Sequence, residues 1–283
     1  MRLALSTCGT PITAELMSAY KDAGINAIEV SVGNMELASA LDFAKSRELA
    51  DEYGIELWSL HLPFLPFNVI DPSNPEIADY TVKYFCSLID KAVEIGIKVF
   101  VVHPSGEPIA ESDRPMRMEC AKRSLAALAE YAKAKGAVIA VEDLPRTCLG
   151  RDSSDILELI SAHPDLRVCF DTNHLLGEKI ADFIAKVGEK IITTHVSDYD
   201  EKNERHWLSG EGVIDWKALK DALIAIGYDG PWLYELGLGG SSSTINRKRR
   251  LEYSDFRRNY DEIMADLPIT LIGKGKTDLP SWK

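Results

Sequence analysis

One pattern recurs along the chain: a polar-faced helical stretch, then a glycine, then a short run of β-branched and other apolar residues. It is clearest in KDAGINAIEVSV (21–32), ADEYGIELWSL (50–60), AVEIGIKVFVVH (92–103), AKAKGAVIAVEDL (132–144), AKVGEKIITTHV (185–196) and ALIAIGYDGPWLYEL (222–236). Gly24, Gly54, Gly96, Gly136, Gly188 and Gly227 stand where a helix must stop, because glycine takes the left-handed backbone conformation without strain. Adding LALST (3–7) and RVCFDTN (167–173), the apolar runs predict eight strands, beginning near residues 3, 27, 55, 97, 138, 167, 190 and 231. Their average spacing of about 33 residues is the size of one βα unit.

The intervening segments have helical period. In DWKALKDALIAIG (215–227), Trp216, Leu219, Leu223 and Ile226 form one apolar stripe that would cover a sheet. The strands are apolar on both faces, which describes a parallel sheet covered on both sides. Eight such units predict an α/β fold, a (β/α)8 TIM barrel, as a single domain over residues 1–270. Residues 271–283 (LIGKGKTDLPSWK) are set apart as a C-terminal tail. The turn after the first strand, TCGTP, has no G-x-G-x-x-G, which argues against an open doubly wound sheet.

The polar residues collect at the predicted strand ends. The third strand ends in His61, the fourth in His103, the fifth in Glu142, the sixth in Asp171 with His174 just beyond, the seventh in His195 and the eighth in Glu235. In a barrel these ends share one mouth, where active sites of this architecture lie. Glu142 and Glu235 follow apolar residues, where an unpaired carboxylate is costly, and a divalent cation compensates several carboxylates at once. Glu142, Asp171, Glu235 and His195 form an oxygen-rich set suited to Mn²⁺, Mg²⁺ or Zn²⁺. A single carboxylate at a strand end is more often a helix cap or ion-pair partner, the reading for Asp143, Asp198 and Asp200. His163, in SAHPDL, reads as a surface residue.

Composition narrows the partners. The 283 residues are 46% hydrophobic and 27% charged, ordinary for a soluble globular chain. The net charge of −12 opposes nucleic acid and anionic membrane as partners. No signal-peptide core and no long uninterrupted apolar run is present, so a cytoplasmic location is expected. Five scattered cysteines (Cys8, Cys86, Cys120, Cys148, Cys169) without C-x-x-C read as reduced thiols.

The series HLPF (61–64), VVHPSGEP (101–108), VEDLPRT (141–147), CFDTNH (169–174), HVSDYD (195–200), RHWLSGEGVIDW (205–216) and GPWLYELG (230–237) resembles the xylose isomerase-like barrel superfamily. It is especially similar to the sugar phosphate isomerase/epimerase branch, which includes tagatose 3-epimerase-like enzymes and inosose isomerases and dehydratases. The resemblance implies that Glu142, Asp171, His195 and Glu235 bind one divalent metal, Mn²⁺ ahead of Mg²⁺, Co²⁺ or Zn²⁺. It implies that His174 and Arg205 face a small sugar or polyol, and that His61, His103, Glu29 and His206 line the same pocket. The implied chemistry is isomerisation or epimerisation through a metal-chelated enediolate, with Glu142 and Glu235 as the acid/base pair. Tagatose-type epimerases carry a second Glu six residues after the strand-5 ligand, and here that position is Cys148. A dehydratase or lyase on a keto-sugar or inosose uses the same site. A homo-oligomer is compatible with all of this.

Endonuclease IV shares this barrel, and its larger ligand pattern also fits His61, His103, Glu142, Asp171, His174, His195, His206 and Glu235, with Glu204 where that family has Asp. Such a metal-dependent phosphodiesterase would have to neutralise phosphates with a chain of net charge −12, and the loop GNMELAS (33–39) has no Arg/Gln pair to enter a minor groove. The loop GLGGSSST (237–244) offers backbone N–H groups to a substrate phosphate or is a surface loop. The run Arg247-Lys248-Arg249-Arg250 reads as an anion contact or a solvated helix entry. Trp58, Phe64, Phe67 and Trp207 are candidate walls for a sugar ring.

Overall fold

Eight short parallel strands alternate with helices, and each strand begins within two residues of its predicted start. A computed structural model describes residues 1–239 and 243–282. The strands are β1 (Leu3–Ser6), β2 (Ala27–Ser31), β3 (Glu56–His61), β4 (Val99–Val102), β5 (Val138–Glu142), β6 (Arg167–Asp171), β7 (Ile191–His195) and β8 (Trp232–Tyr234). They pair in the order β7-β6-β5-β4-β3-β2-β1-β8, and a parallel bridge between Val196 and Tyr234 brings β8 back to β7. The helices are α1 (Ala14–Asp22), α2 (Met35–Ala40), α3 (Phe43–Tyr53), α4 (Ala78–Glu94), α5 (Arg114–Ala134), α6 (Ser153–Ile160), α7 (Ile180–Val187), α8 (Trp216–Ala225) and α9 (Tyr253–Met264). This is a single-domain TIM barrel.

Local chemistry explains the punctuation. Thr13, Asn34, Asp42, Asp152 and Asp215 cap the starts of α1, α2, α3, α6 and α8 by accepting a backbone N–H. All six predicted stop glycines have positive φ, and Gly54 is a left-handed cap on α3. Gly188 differs: at φ 57°, ψ −135° it leads into a 3₁₀ turn, Gly188–Lys190, before β7.

The strand period of two sorts each strand onto two faces. Outward residues such as Leu5, Ile28, Phe100, Val141, Phe170 and Tyr234 join one large apolar cluster with the helices. Inward residues are small: Ala4, Ala27 and Leu233 form one layer, and Val99, Val101, Ala140 and Cys169 another. Trp58 packs against both and donates through Nε1 to Thr193 Oγ1 of β7 at 3.1 Å, crossing the barrel interior. A register shift opposite Ile28 and Glu29 makes room for it. The same parity carries Ala140 to Glu142, Cys169 to Asp171, Thr193 to His195 and Leu233 to Glu235. The last inward position of four strands is therefore a ligand-type residue.

The tail is attached to the barrel. Gly273–Gly275 pairs antiparallel with Ile245–Arg247, and Trp282 N–H donates to Lys202 O at 3.1 Å. Among the described residues no helix is long and apolar enough to cross a membrane. All five cysteines are free thiols. Residues 240–242 of the 237–244 loop, the candidate phosphate cradle, lie outside the described residues.

Candidate metal centre

At the C-terminal mouth, Glu142, Asp171, His195 and Glu235 bring one ligand atom each within 4.8 Å of one another. Further groups adjoin or overlap them, among them His61, His103 and Glu142 on one side, and His174, Glu204 and His206 on the other. Glu142 is the hub. Its carboxylate lies 3.1 Å from Nε2 of both His61 and His103, and 2.9 Å from His195 Nδ1. His195 Nδ1 is also 3.2 Å from Glu235 Oε2.

The backbone fixes which nitrogen of each ring faces inward. Nδ1–H donates to Leu62 O from His61 at 2.9 Å, to Asp143 O from His174 at 2.7 Å and to Glu235 O from His206 at 3.3 Å. Nε2 of those three rings is left for the centre, the arrangement of metal-ligating imidazoles. His195 is reversed, with Nδ1 facing the carboxylates.

The electrostatics describe a crowded, dry cluster. Burial opposes charge on His195, yet Cys169, Glu235, Glu29 and Glu142 overcome it and push its pKa well above the usual imidazole range. His61 is pushed up to about 9 against its burial, chiefly by Glu142. Burial and the nearby Glu235 and Glu142 charges raise Asp171 to about 6. Burial opposes the charge of Glu204, but His174, Arg146 and His206 hold its carboxyl below the usual range.

A divalent cation suits this donor set. Asp171 Oδ2 is fully buried and has no hydrogen-bond partner, although its Oδ1 accepts from Asn173 N–H at 2.7 Å. A buried carboxylate oxygen left without a donor is the kind of atom a metal ion compensates.

The other sequence candidates fall in distinct places. Glu29 is fully buried behind His195, and His103 and Phe64 stack with ring centroids 4.3 Å apart at the rim. Cys148 is a buried thiol, so no carboxylate occupies that position. Phe67 packs over Gly106, Trp207 is buried against Gly275, and Trp58 lies in the barrel interior. Arg247 pairs with Glu211, and Arg249 with Asp255, so these two arginines serve the fold.

Arg205 does not point into the cluster. Its Nε donates to Asp200 Oδ2 at 2.9 Å and its Nη2 to Pro280 O at 2.8 Å, which clamps the tail to the loop carrying Glu204 and His206. Arg205→Ala is expected to release the tail and speed tryptic cleavage after Lys274 and Lys276 several-fold, read by timed digestion and mass spectrometry; an unchanged digest removes the clamp. The cation beside the cluster is instead Arg146, whose Nη1 lies 3.1 Å from Glu204 Oε2. The sequence signal that would have found it is its place in EDLPRT, four residues after Glu142.

The chain belongs to the xylose isomerase-like TIM barrel family, whose model matches residues 17–250. An uncharacterized protein of Methanocaldococcus jannaschii is 30% identical over 192 residues, 65% of this chain and 65% of its own length. A probable endonuclease 4 of Staphylococcus carnosus is 27% identical over 202 residues, 63% of this chain and 66% of that protein. The solved structure of a D-tagatose 3-epimerase-like protein superposes with a TM-score of 0.74 at 25% identity, covering 83% of this chain and 90% of that one. The 3-keto-D-glucoside 4-epimerase of E. coli shares the barrel, with a TM-score of 0.73 at 17% identity over 94% of this chain and 99% of its own.

Proposed function

We propose that the protein is a divalent-metal-dependent sugar or polyol isomerase or epimerase, with Glu142, Asp171, His195 and Glu235 as ligands and Mn²⁺ as the ion to test first. The observation that carries this reading is the central group: three carboxylates and one imidazole, from the ends of four strands, with one buried carboxylate oxygen that accepts no hydrogen bond. The likeness to a D-tagatose 3-epimerase-like structure supports a sugar substrate.

A cation bound there would supply Lewis acidity to neighbouring carbonyl and hydroxyl oxygens of the substrate, acidifying the C–H between them. The residues supply the rest. Glu142 and Glu235 approach His195 Nδ1 from β5 and from the end of β8, so one carboxylate can take a proton from a substrate carbon while the other returns one. His61 and His174, fixed by their Nδ1–H bonds, present Nε2 to substrate oxygens. The stacked Phe64 and His103 rings offer a flat wall to the apolar face of a sugar.

Glu142→Gln and Glu235→Gln should each weaken Mn²⁺ binding and, at Mn²⁺ concentrations that keep the site loaded, slow exchange of the substrate α-proton with solvent deuterium by about 10²- to 10⁴-fold. Retained exchange in both variants overturns the acid/base pair. The same base with a leaving group β to the carbonyl gives a dehydratase or lyase, and the product identified by NMR separates these outcomes.

A second reading is phosphodiester hydrolysis of the endonuclease IV kind. It is favoured by the two flanking ligand groups, His61/His103/Glu142 and His174/Glu204/His206, and by the likeness to a probable endonuclease 4. The net charge of −12 counts against a nucleic-acid substrate. Metal analysis of the purified protein decides: about one equivalent supports the sugar enzyme, about three zinc ions the nuclease-type centre.

A further inference from the structure

We infer that Glu29 is a positioning residue for the metal centre, acting through His195 and not through the substrate. The inference rests on the reading of His195 as a ligand. Glu29 follows Ala27 on the inward face of β2 and is fully buried. Its two oxygens lie 3.0 Å and 3.2 Å from His195 Nε2. Ser59 Oγ on the adjacent β3 donates to Glu29 Oε2 at 2.9 Å and holds the carboxylate in place. The opposite ring nitrogen, Nδ1, meets Glu142 and Glu235. Glu29 and the two mouth carboxylates therefore grip His195 from opposite edges of its ring.

The geometry has one chemical outcome. A carboxylate on Nε2 keeps the proton there, leaves the Nδ1 lone pair for a cation, and makes the ring a stronger donor. His61, His174 and His206 are fixed by neutral backbone carbonyls, whereas His195 is backed by a charged group. Being walled off behind the ring, Glu29 has no path to a substrate. The register shift between Ile28 and Glu29 against β3 sets Glu29 opposite Ser59, so the bulge that admits Trp58 also builds this support.

The test compares wild type, Glu29→Gln and Glu29→Ala, using Mn²⁺ alone as the probe in competition with a chelator. Glu29→Ala should weaken Mn²⁺ binding about 10- to 100-fold. Glu29→Gln keeps the shape and an acceptor oxygen but not the charge, and should fall between the two; being isosteric, it carries the test if the alanine variant does not fold. In Zn²⁺-loaded, ¹⁵N-labelled protein, His195 should show a protonated Nε2 in wild type and in Glu29→Gln. Affinities within about threefold of wild type in the folded variants, or a protonated Nδ1 in wild type, overturn the inference and leave the metal reading intact. A wild-type protein that binds no divalent ion overturns both together.

Discussion

At pH 8 and without metal, Asp171→Asn is expected to melt no lower than wild type, and to lose the rise in melting temperature that Mn²⁺ gives the wild-type protein. Asparagine keeps the Oδ1 that accepts Asn173 N–H, while Oδ2, the oxygen it replaces, has no donor to lose. Burial, reinforced by Glu235 and Glu142, raises this carboxyl from 3.8 to about 6. A raised folded-state pKa removes stability as pH climbs through that window, and the loss is complete by pH 8. Asparagine carries no such penalty. Metal reverses the comparison, because an ion that binds only the native state at 100 times its Kd adds about 2.7 kcal/mol. For a chain of this size that is a rise of about 5 °C in wild type. Thermal melts with and without Mn²⁺ check both halves; a full Mn²⁺ response in Asp171→Asn would remove Asp171 from the ligand set.

Asp198→Ala should cost about 3–5 kcal/mol, among the largest losses from any single polar side chain of this protein. Asp198 is fully buried just beyond β7, and its carboxyl accepts from Tyr199 N (2.9 Å), Gly210 N (2.8 Å), Val213 N (3.0 Å), Ile214 N (3.2 Å) and Trp216 Nε1 (2.9 Å). These donors would be stranded in a dry loop, each at about 1–3 kcal/mol unless the loop rearranges. Asp198→Asn should recover little, because its NH₂ would face N–H groups on whichever edge it lay. The loop chosen by this side chain is the one that carries Glu204, Arg205 and His206. Its tightness shows at Gly212, where a Cβ would stand 2.2 Å from Tyr199 O and 2.3 Å from Asp198 Oδ1. Denaturant titration measures the loss; a cost under about 1 kcal/mol would show that the loop is held by other contacts.

Asp198 also marks where one-dimensional reading stops. A carboxylate three residues after a strand-end His reads as a cap or ion-pair partner, but its donors come from positions up to eighteen residues downstream and none of them is a helix N-terminus or a cation. Arg205 shows the same limit. Its motif resembles one that presents Arg to substrate, yet its guanidinium is taken up by Asp200 and by Pro280, seventy-five residues away. The resemblance puts Glu29 in the pocket lining, and only the pairing of β2 with β3 turns it behind His195. Arg146 has one local signal, its place in EDLPRT four residues after Glu142, and only the fold sets Glu204 beside it.

What the sequence determined by itself was the architecture and the ring of strand-end residues. Both follow from short-range rules: glycine stops helices, apolar runs of strand length between amphipathic helices demand a parallel sheet, and a period of two sends Ala140 and Glu142, or Cys169 and Asp171, to the same inner face. What only the tertiary structure decided was how those side chains divide the work. The orientation of His195, the orphaned oxygen of Asp171, the tail clamped by Arg205 and the overlap of neighbouring ligand groups depend on contacts between residues distant in the chain. Hydrogen-bond direction and burial set which atom faces a metal, and no local pattern of residues encodes either.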